Sequence, residues 1–164
     1  WRIAYCKVYY PLAYYTAFFT IRASAFSYEI MCQGKEHLES VIQDYKKRSD
    51  TLSKKEQDTM RDMKIVQEMY ARGFEFMPID VYRAKGRLFQ IIDGKIMPSF
   101  NSIDGLGEKA ADQIQEAAKQ GPFLSKDDFR SRTKASKTIV DLMADLGILG
   151  DIPESNQISL FDIM

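Results

Sequence analysis

A glycine-containing turn, Ile103-Asp104-Gly105-Leu106-Gly107, has the residue types best suited to binding phosphate. The glycines let the backbone approach a ligand with no side chain in the way. A helix expected to start near Glu108 would point its free N–H groups and its positive dipole end out of this turn. Such groups contact the DNA backbone and not the bases. We therefore predict sequence-independent phosphate binding by a set of four residues: Gly105, Leu106, Gly107 and Lys109. A plain structural connection between two helices is the alternative.

A second group of basic residues follows within residues 126–137, where Lys and Arg outnumber Asp. Clusters of this kind neutralise DNA phosphates. The candidate DNA-contact patch consists of Lys126, Arg130, Arg132, Lys134 and Lys137. An ordinary solvated surface is the alternative interpretation of the same residues.

The sequence near the end of the chain has the pattern of a docking peptide. Its five residues are Gln157, Ile158, Ser159, Leu160 and Phe161. Two apolar anchors would fill a pocket on a partner, and the amide would set the register by hydrogen bonds. Burial of Leu160 and Phe161 in the chain's own core is the alternative.

Composition excludes several other chemistries. Lys and Arg together number 23, as do Asp and Glu, so any attraction to DNA must be local. His37 is the only histidine, which argues against a histidine triad or a multi-histidine metal site. Cys6 and Cys32 lack metal-ligand spacing and suggest a reducing, cytoplasmic location. The longest apolar run, residues 8–21, is too short to span a membrane.

The elements that must position these residues are mainly helical. Pro11 is expected to begin a helix that runs to about Ala25, and a capping box at Ser53 begins another. Asp93-Gly94 between apolar runs predicts a β-hairpin. Ser125 and Ser136 are predicted helix caps. The predicted fold class is mainly α with a small β-hairpin (α+β).

In the order and spacing of its motifs, the chain resembles the C-terminal end of the PolC-type DNA polymerase III alpha subunit. The resemblance covers essentially all 164 residues. It is carried by residues 4–7, 11–15, 19–23, 79–83, 103–107 with Ala110-Ala111, 121–128 and 157–161. The chain begins at Trp1, and we expect it to be part of a longer protein.

The resemblance implies a division into three parts. Residues 1–98 would be a distal fingers-like segment, and residues 99–150 a helix-hairpin-helix region that binds duplex DNA. Residues 151–164 would be a flexible tail whose peptide docks on the β sliding clamp. Such a tether raises processivity through effective concentration. The implied partners are duplex DNA, the β sliding clamp and the remainder of the polymerase, with no membrane.

The family's catalytic palm, where carboxylates hold Mg²⁺ for nucleotidyl transfer, has no counterpart in this sequence. We expect the chain to be inactive alone and to need no cofactor of its own. Ile158 stands where many clamp peptides have leucine, a mild change for an apolar pocket. A non-catalytic interaction or scaffold domain with a structural hairpin is the main alternative, and a nuclease or ligase accessory is weaker.

Overall fold

The computed structural model describes residues 1–155, which form eight α-helices and one two-stranded antiparallel sheet. The helices are α1 (Arg2–Tyr9), α2 (Pro11–Ile21), α3 (Tyr28–Met31), α4 (Lys35–Lys47), α5 (Lys54–Ala71), α6 (Glu108–Lys119), α7 (Lys126–Thr133) and α8 (Lys137–Asp145). The strands are β1 (Gln90–Ile92) and β2 (Lys95–Met97), and short 3₁₀ helices lie at Ser49–Thr51 and Phe100–Ser102. The predicted fold class is confirmed. Among residues 1–155, every helix is too short or too polar to cross a membrane.

Local sequence signals place several of these boundaries. Ser53 and Glu56 form the reciprocal capping box that begins α5, and Ser125 and Ser136 cap α7 and α8 with their side chains. The predicted capping roles of these residues are confirmed. Each cap supplies an acceptor to helix N–H groups that would otherwise be unsatisfied.

The predicted β-hairpin is also present. Asp93 and Gly94 both adopt positive φ angles, 52° and 74°, as a two-residue turn of this type requires. The turn pairs Ile91 with Ile96 in an antiparallel register.

Helix α2 starts at Pro11 as predicted but ends at Ile21, before the expected Ala25. Residues 22–26 form a tight turn instead, with the Phe26 amide donating to the Arg22 carbonyl at 3.1 Å. This turn places the Phe26 ring 5.4 Å from the Phe19 ring. Burial of both aromatic rings stabilises this turn relative to a continuation of α2 to Ala25.

Two hydrophobic cores organise the chain. The first core joins α2, α4, α5 and the hairpin, around the buried side chains of Phe19, Leu38 and Met63. The second core joins α6, α7 and α8 around Phe100, Ile114 and Phe129, which are likewise buried.

The hairpin connects the two cores. Because successive strand residues face opposite sides, Ile96 of β2 lies in the first core and Met97 in the second. Tyr28 and residues 79–84 also contribute to the second core. Side chains from both sides of the predicted boundary at residue 98 therefore pack together.

Residues 151–154, at the start of the predicted tail, lie against α7. The Lys126 and Asp127 amides donate to the carbonyls of Pro153 and Glu154 at 2.8 and 3.2 Å. Ile152 packs on the second core. The first amides of α7 thus have acceptors from this chain.

Candidate nucleic-acid interface

Two buried side chains anchor the first turn, Gly105–Gly107, in the second core. Ile103 is 2% exposed and Leu106 is 5% exposed, and both pack in the second core. The Leu106 amide donates to the Ile103 carbonyl at 3.1 Å. Gly105 has a φ of 84°, a conformation that side chains other than glycine rarely adopt. The Leu106 side chain therefore lies inward, and its amide, a predicted phosphate donor, is already bonded within the turn. The two glycines are exposed.

The backbone of the first turn is open to a ligand. A Cβ atom built on Gly105 or Gly107 would meet no atom within 4 Å. Gly107 is the N-cap of α6 and has no side chain to cap it. Within residues 1–155, the amides of Gly107, Glu108 and Lys109 donate no hydrogen bond. Free amides at a helix start favour an anion.

Charges beside the first turn are arranged around Arg87. Its guanidinium donates to Glu108 at 2.7 Å and to Asp112 at 2.5 to 3.1 Å. Hydrogen bonding from Arg87 lowers the pKa of Asp112. Lys109 is exposed and forms no ion pair with residues 1–155. The carboxylates of Glu108 and Asp112 on α6 are thus paired with Arg87, and the Lys109 charge is available to a ligand.

Two contacts position the first turn on the rest of the protein. The buried Ser27 hydroxyl donates to Asp104 at 2.5 Å, which connects the turn to the start of α3. The Gly86 amide donates to the Gln115 side chain of α6 at 2.6 Å. A Cβ on Gly86 would lie 3.1 Å from the Ala111 backbone, so glycine permits this approach.

The predicted basic patch is divided by the structure. Arg132 donates to the carbonyls of Ala117, Gly121 and Pro122 at 2.7 to 3.0 Å and to Asp128 at 3.3 Å. Its guanidinium also lies 4.5 Å from the centre of the Phe123 ring. Arg132 therefore caps the end of α6.

Lys126 is paired with Glu154, close to the point where residues 151–154 cross α7. The other three residues of the patch have exposed side chains that make no ion pair or hydrogen bond with the described part of the chain. They are Arg130, Lys134 and Lys137.

A second turn, Lys134–Ser136, resembles the first turn in its order of backbone features. Lys134 has a φ of 56°, Ala135 is 8% exposed, and Ser136 is the N-cap of α8 with φ −68° and ψ 156°. In the first turn a positive-φ residue and a buried apolar residue likewise precede an N-cap, Gly107, with φ −72° and ψ 160°.

Sequence reasoning recognised the charge of Lys134 and the cap at Ser136, but not the second turn. A turn with a positive-φ residue is usually indicated in a sequence by glycine. Lysine, which rarely adopts positive φ, occupies that position here. The Ala135-Ser136 pair before an apolar helix is the one sequence signal that could have indicated it.

The predicted docking peptide, Gln157–Phe161, lies outside the described residues. Within residues 1–155, no group of three or more His, Cys, Asp or Glu side chains is placed to hold a metal ion.

Comparison with known proteins gives the context of this site. A family described as helix-hairpin-helix motif matches residues 73–158, a segment that includes both turns and most of the second core.

Relatives named DNA polymerase III PolC-type are similar over nearly the whole chain. Those of Caldanaerobacter subterraneus subsp. tengcongensis and Clostridium perfringens are 40% identical over 160 residues, and that of Streptococcus pyogenes is 42% identical over 163 residues. Each match covers 98% of this chain and 11% of the relative. The predicted resemblance to the PolC-type polymerase is confirmed, and the chain spans about a tenth of the relatives' length.

Proposed function

Because the chain belongs to the helix-hairpin-helix motif family, we propose that it binds duplex DNA through the phosphates, independently of base sequence. The observation that carries the proposal is the first turn, where two exposed glycines lie beside Lys109. Within residues 1–155, three amides at this turn donate no hydrogen bond and Lys109 has no ion-pair partner. Oxygen atoms of a phosphate accept hydrogen bonds from such amides without reading a base.

We propose that the second turn contributes further cations to DNA binding. It brings Lys134 and Lys137, and nearby Arg130, to the exposed side of α7 and α8. The overall charge of the chain is zero, so these local cations supply the attraction. The scaffold alternative requires no unpaired cations at the two turns, whereas Lys109, Arg130, Lys134 and Lys137 have no ion-pair partner within residues 1–155.

Titration of a fluorescent duplex at several salt concentrations tests the proposal. The affinity of the chain should fall as salt rises, and Lys109→Glu should weaken binding and reduce the salt slope by about one. Lys64→Glu is the matched control, because Lys64 is exposed on α5 and has no ion-pair partner within residues 1–155. Affinity that responds to neither salt nor Lys109→Glu would contradict phosphate binding.

We also propose that Gln157–Phe161 docks on a β sliding clamp, with Leu160 and Phe161 as apolar anchors and Gln157 setting the register. The pattern of one amide followed by an apolar pair supports this docking. Calorimetric titration of the clamp with a Leu160→Ala, Phe161→Ala double variant should show no binding. Ile163→Ala is the control for loss of an apolar side chain outside the peptide. Equal affinity of the double variant and the unaltered chain would exclude the docking role.

For the longer protein to which the chain is similar, we propose template-directed nucleotidyl transfer in the cytoplasm. The present chain would contribute duplex binding and clamp docking, and a palm with Mg²⁺ would lie elsewhere in that protein. A primer-extension assay on the isolated chain with Mg²⁺ should give no product. Measurable extension would refute this division of roles.

A further inference from the structure

We propose that a groove beside the first turn binds a second phosphate of the same duplex, with Lys55 as its cation. This inference rests on the proposed DNA binding and adds a residue of the first core to the contact surface. It places one duplex strand across the junction of the two cores.

The groove has a volume of about 340 Å³ and two different walls. One wall is the first turn with Ile103 and Glu108, which belongs to the second core. The opposite wall consists of Ala23, Ser24 and Phe26, from the turn after α2, and of Lys55 near the start of α5. The Ser27–Asp104 hydrogen bond holds the two walls together at one end.

The carboxylates around the groove already have donors. Asp104 accepts from Ser27, and Glu108 accepts from Arg87. Glu56, which follows Lys55, accepts from the Ser53 amide in the capping box, and this hydrogen bond lowers the pKa of Glu56. None of these three is paired with Lys55, and Lys55 has no acceptor among residues 1–155.

The remaining polar groups of the groove are suited to an anion. Asn101 accepts from Ser99 with its carbonyl oxygen, which leaves its amide NH₂ as a donor. The exposed Ser24 hydroxyl can also donate. A phosphate group accepts hydrogen bonds only, so these donors and the Lys55 ammonium match its chemistry. The pattern favours a phosphate over a cation or an apolar ligand.

Lys55→Glu in the 164-residue chain tests the groove against Lys54→Glu. Both changes place a carboxylate in the first turn of α5, so their effects on the helix dipole are alike, but only Lys55 lines the groove. We expect Lys55→Glu to weaken duplex binding and to reduce the salt slope by about one, with Lys54→Glu close to the unaltered chain. Lys55→Arg, which keeps the positive charge, should bind the duplex about as well as the unaltered chain.

The outcomes separate this inference from the proposed function. If Lys55→Glu and Lys54→Glu give equal affinities while Lys109→Glu weakens binding, the groove claim is overturned and the first turn stands. If Lys109→Glu also has no effect, both proposals are overturned. Urea unfolding of each variant checks that the exposed substitutions leave the fold intact.

Discussion

The first and second turns share the same order of backbone features but present different chemistry to solvent. Each has a positive-φ residue, then a buried apolar residue, then an N-cap that begins a helix. In the first turn the outer positions are glycines, and in the second they are Lys134 and Ser136. The same geometry can therefore offer an anion either bare amides or charged side chains.

Capping is the energetic difference between them. The Ser136 hydroxyl accepts the Ile139 amide at 3.3 Å and so satisfies one N–H of α8. Gly107 has no side chain to accept from the first amides of α6, which have no such cap within residues 1–155. A serine cap stabilises a helix by only a few tenths of a kcal/mol more than a glycine cap. The second turn therefore gains a little stability, and the first turn leaves donors for a ligand.

The largest expected effect comes from the core that supports both turns. Phe129 is fully buried and packs 4.8 Å from the Phe123 ring. Phe129→Ala should lower the free energy of unfolding by about 3–5 kcal/mol, measured by urea denaturation. Leu124→Ala, at a site 67% exposed, is the control and should change little. A small loss for Phe129→Ala would mean that the turns do not depend on this core.

A smaller effect on stability should distinguish Arg132, whose guanidinium is bonded within the protein, from Arg130, whose side chain is exposed. Arg132→Met should cost about 1–3 kcal/mol, because the carbonyls of Gly121 and Pro122 lose their donor and that of Ala117 keeps only the Gln120 amide. Arg130→Met, on the same helix and without a partner in residues 1–155, should leave stability unchanged and weaken duplex binding. Urea denaturation and DNA titration of both variants measure the two effects. Equal losses of stability would contradict the assignment of Arg132.

The positive-φ positions provide the next test. Gly105→Ala should destabilise the chain by about 1–2 kcal/mol through backbone strain alone, because its Cβ would meet open space. Lys134→Gly removes such strain but adds freedom to the unfolded chain, so its net change should stay below about 1 kcal/mol. Thermal or urea unfolding compares them. A neutral Gly105→Ala would show that the first turn adopts another conformation.

Exchanging the caps should give the smallest change in stability and the clearest change in binding. Gly107→Ser should stabilise α6 by a few tenths of a kcal/mol and weaken duplex binding, because the new hydroxyl occupies an amide. Ser136→Gly should do the reverse. Parallel unfolding and DNA titrations measure both quantities. If Gly107→Ser raised affinity, free amides would not be the binding groups.

Much of the fold could be predicted because its signals act over a few residues. The capping box at Ser53, the Asp93-Gly94 hairpin and the caps at Ser125 and Ser136 each depend on a short segment. The first turn could be predicted for the same reason. Helix α1 carries no comparable cap, since Trp1 makes no side-chain capping bond, and it was not predicted.

The sequence by itself determined the turn glycines, the helix caps, the hairpin and the polymerase resemblance. Only the tertiary structure decided which basic residues are free. Arg132 reaches carbonyls 10 to 15 residues away, and Ser27 reaches Asp104 across 77 residues. Such partners depend on how the two cores pack together. A lysine or arginine has the same charge in the sequence whether it faces a ligand or completes the protein's own hydrogen bonds.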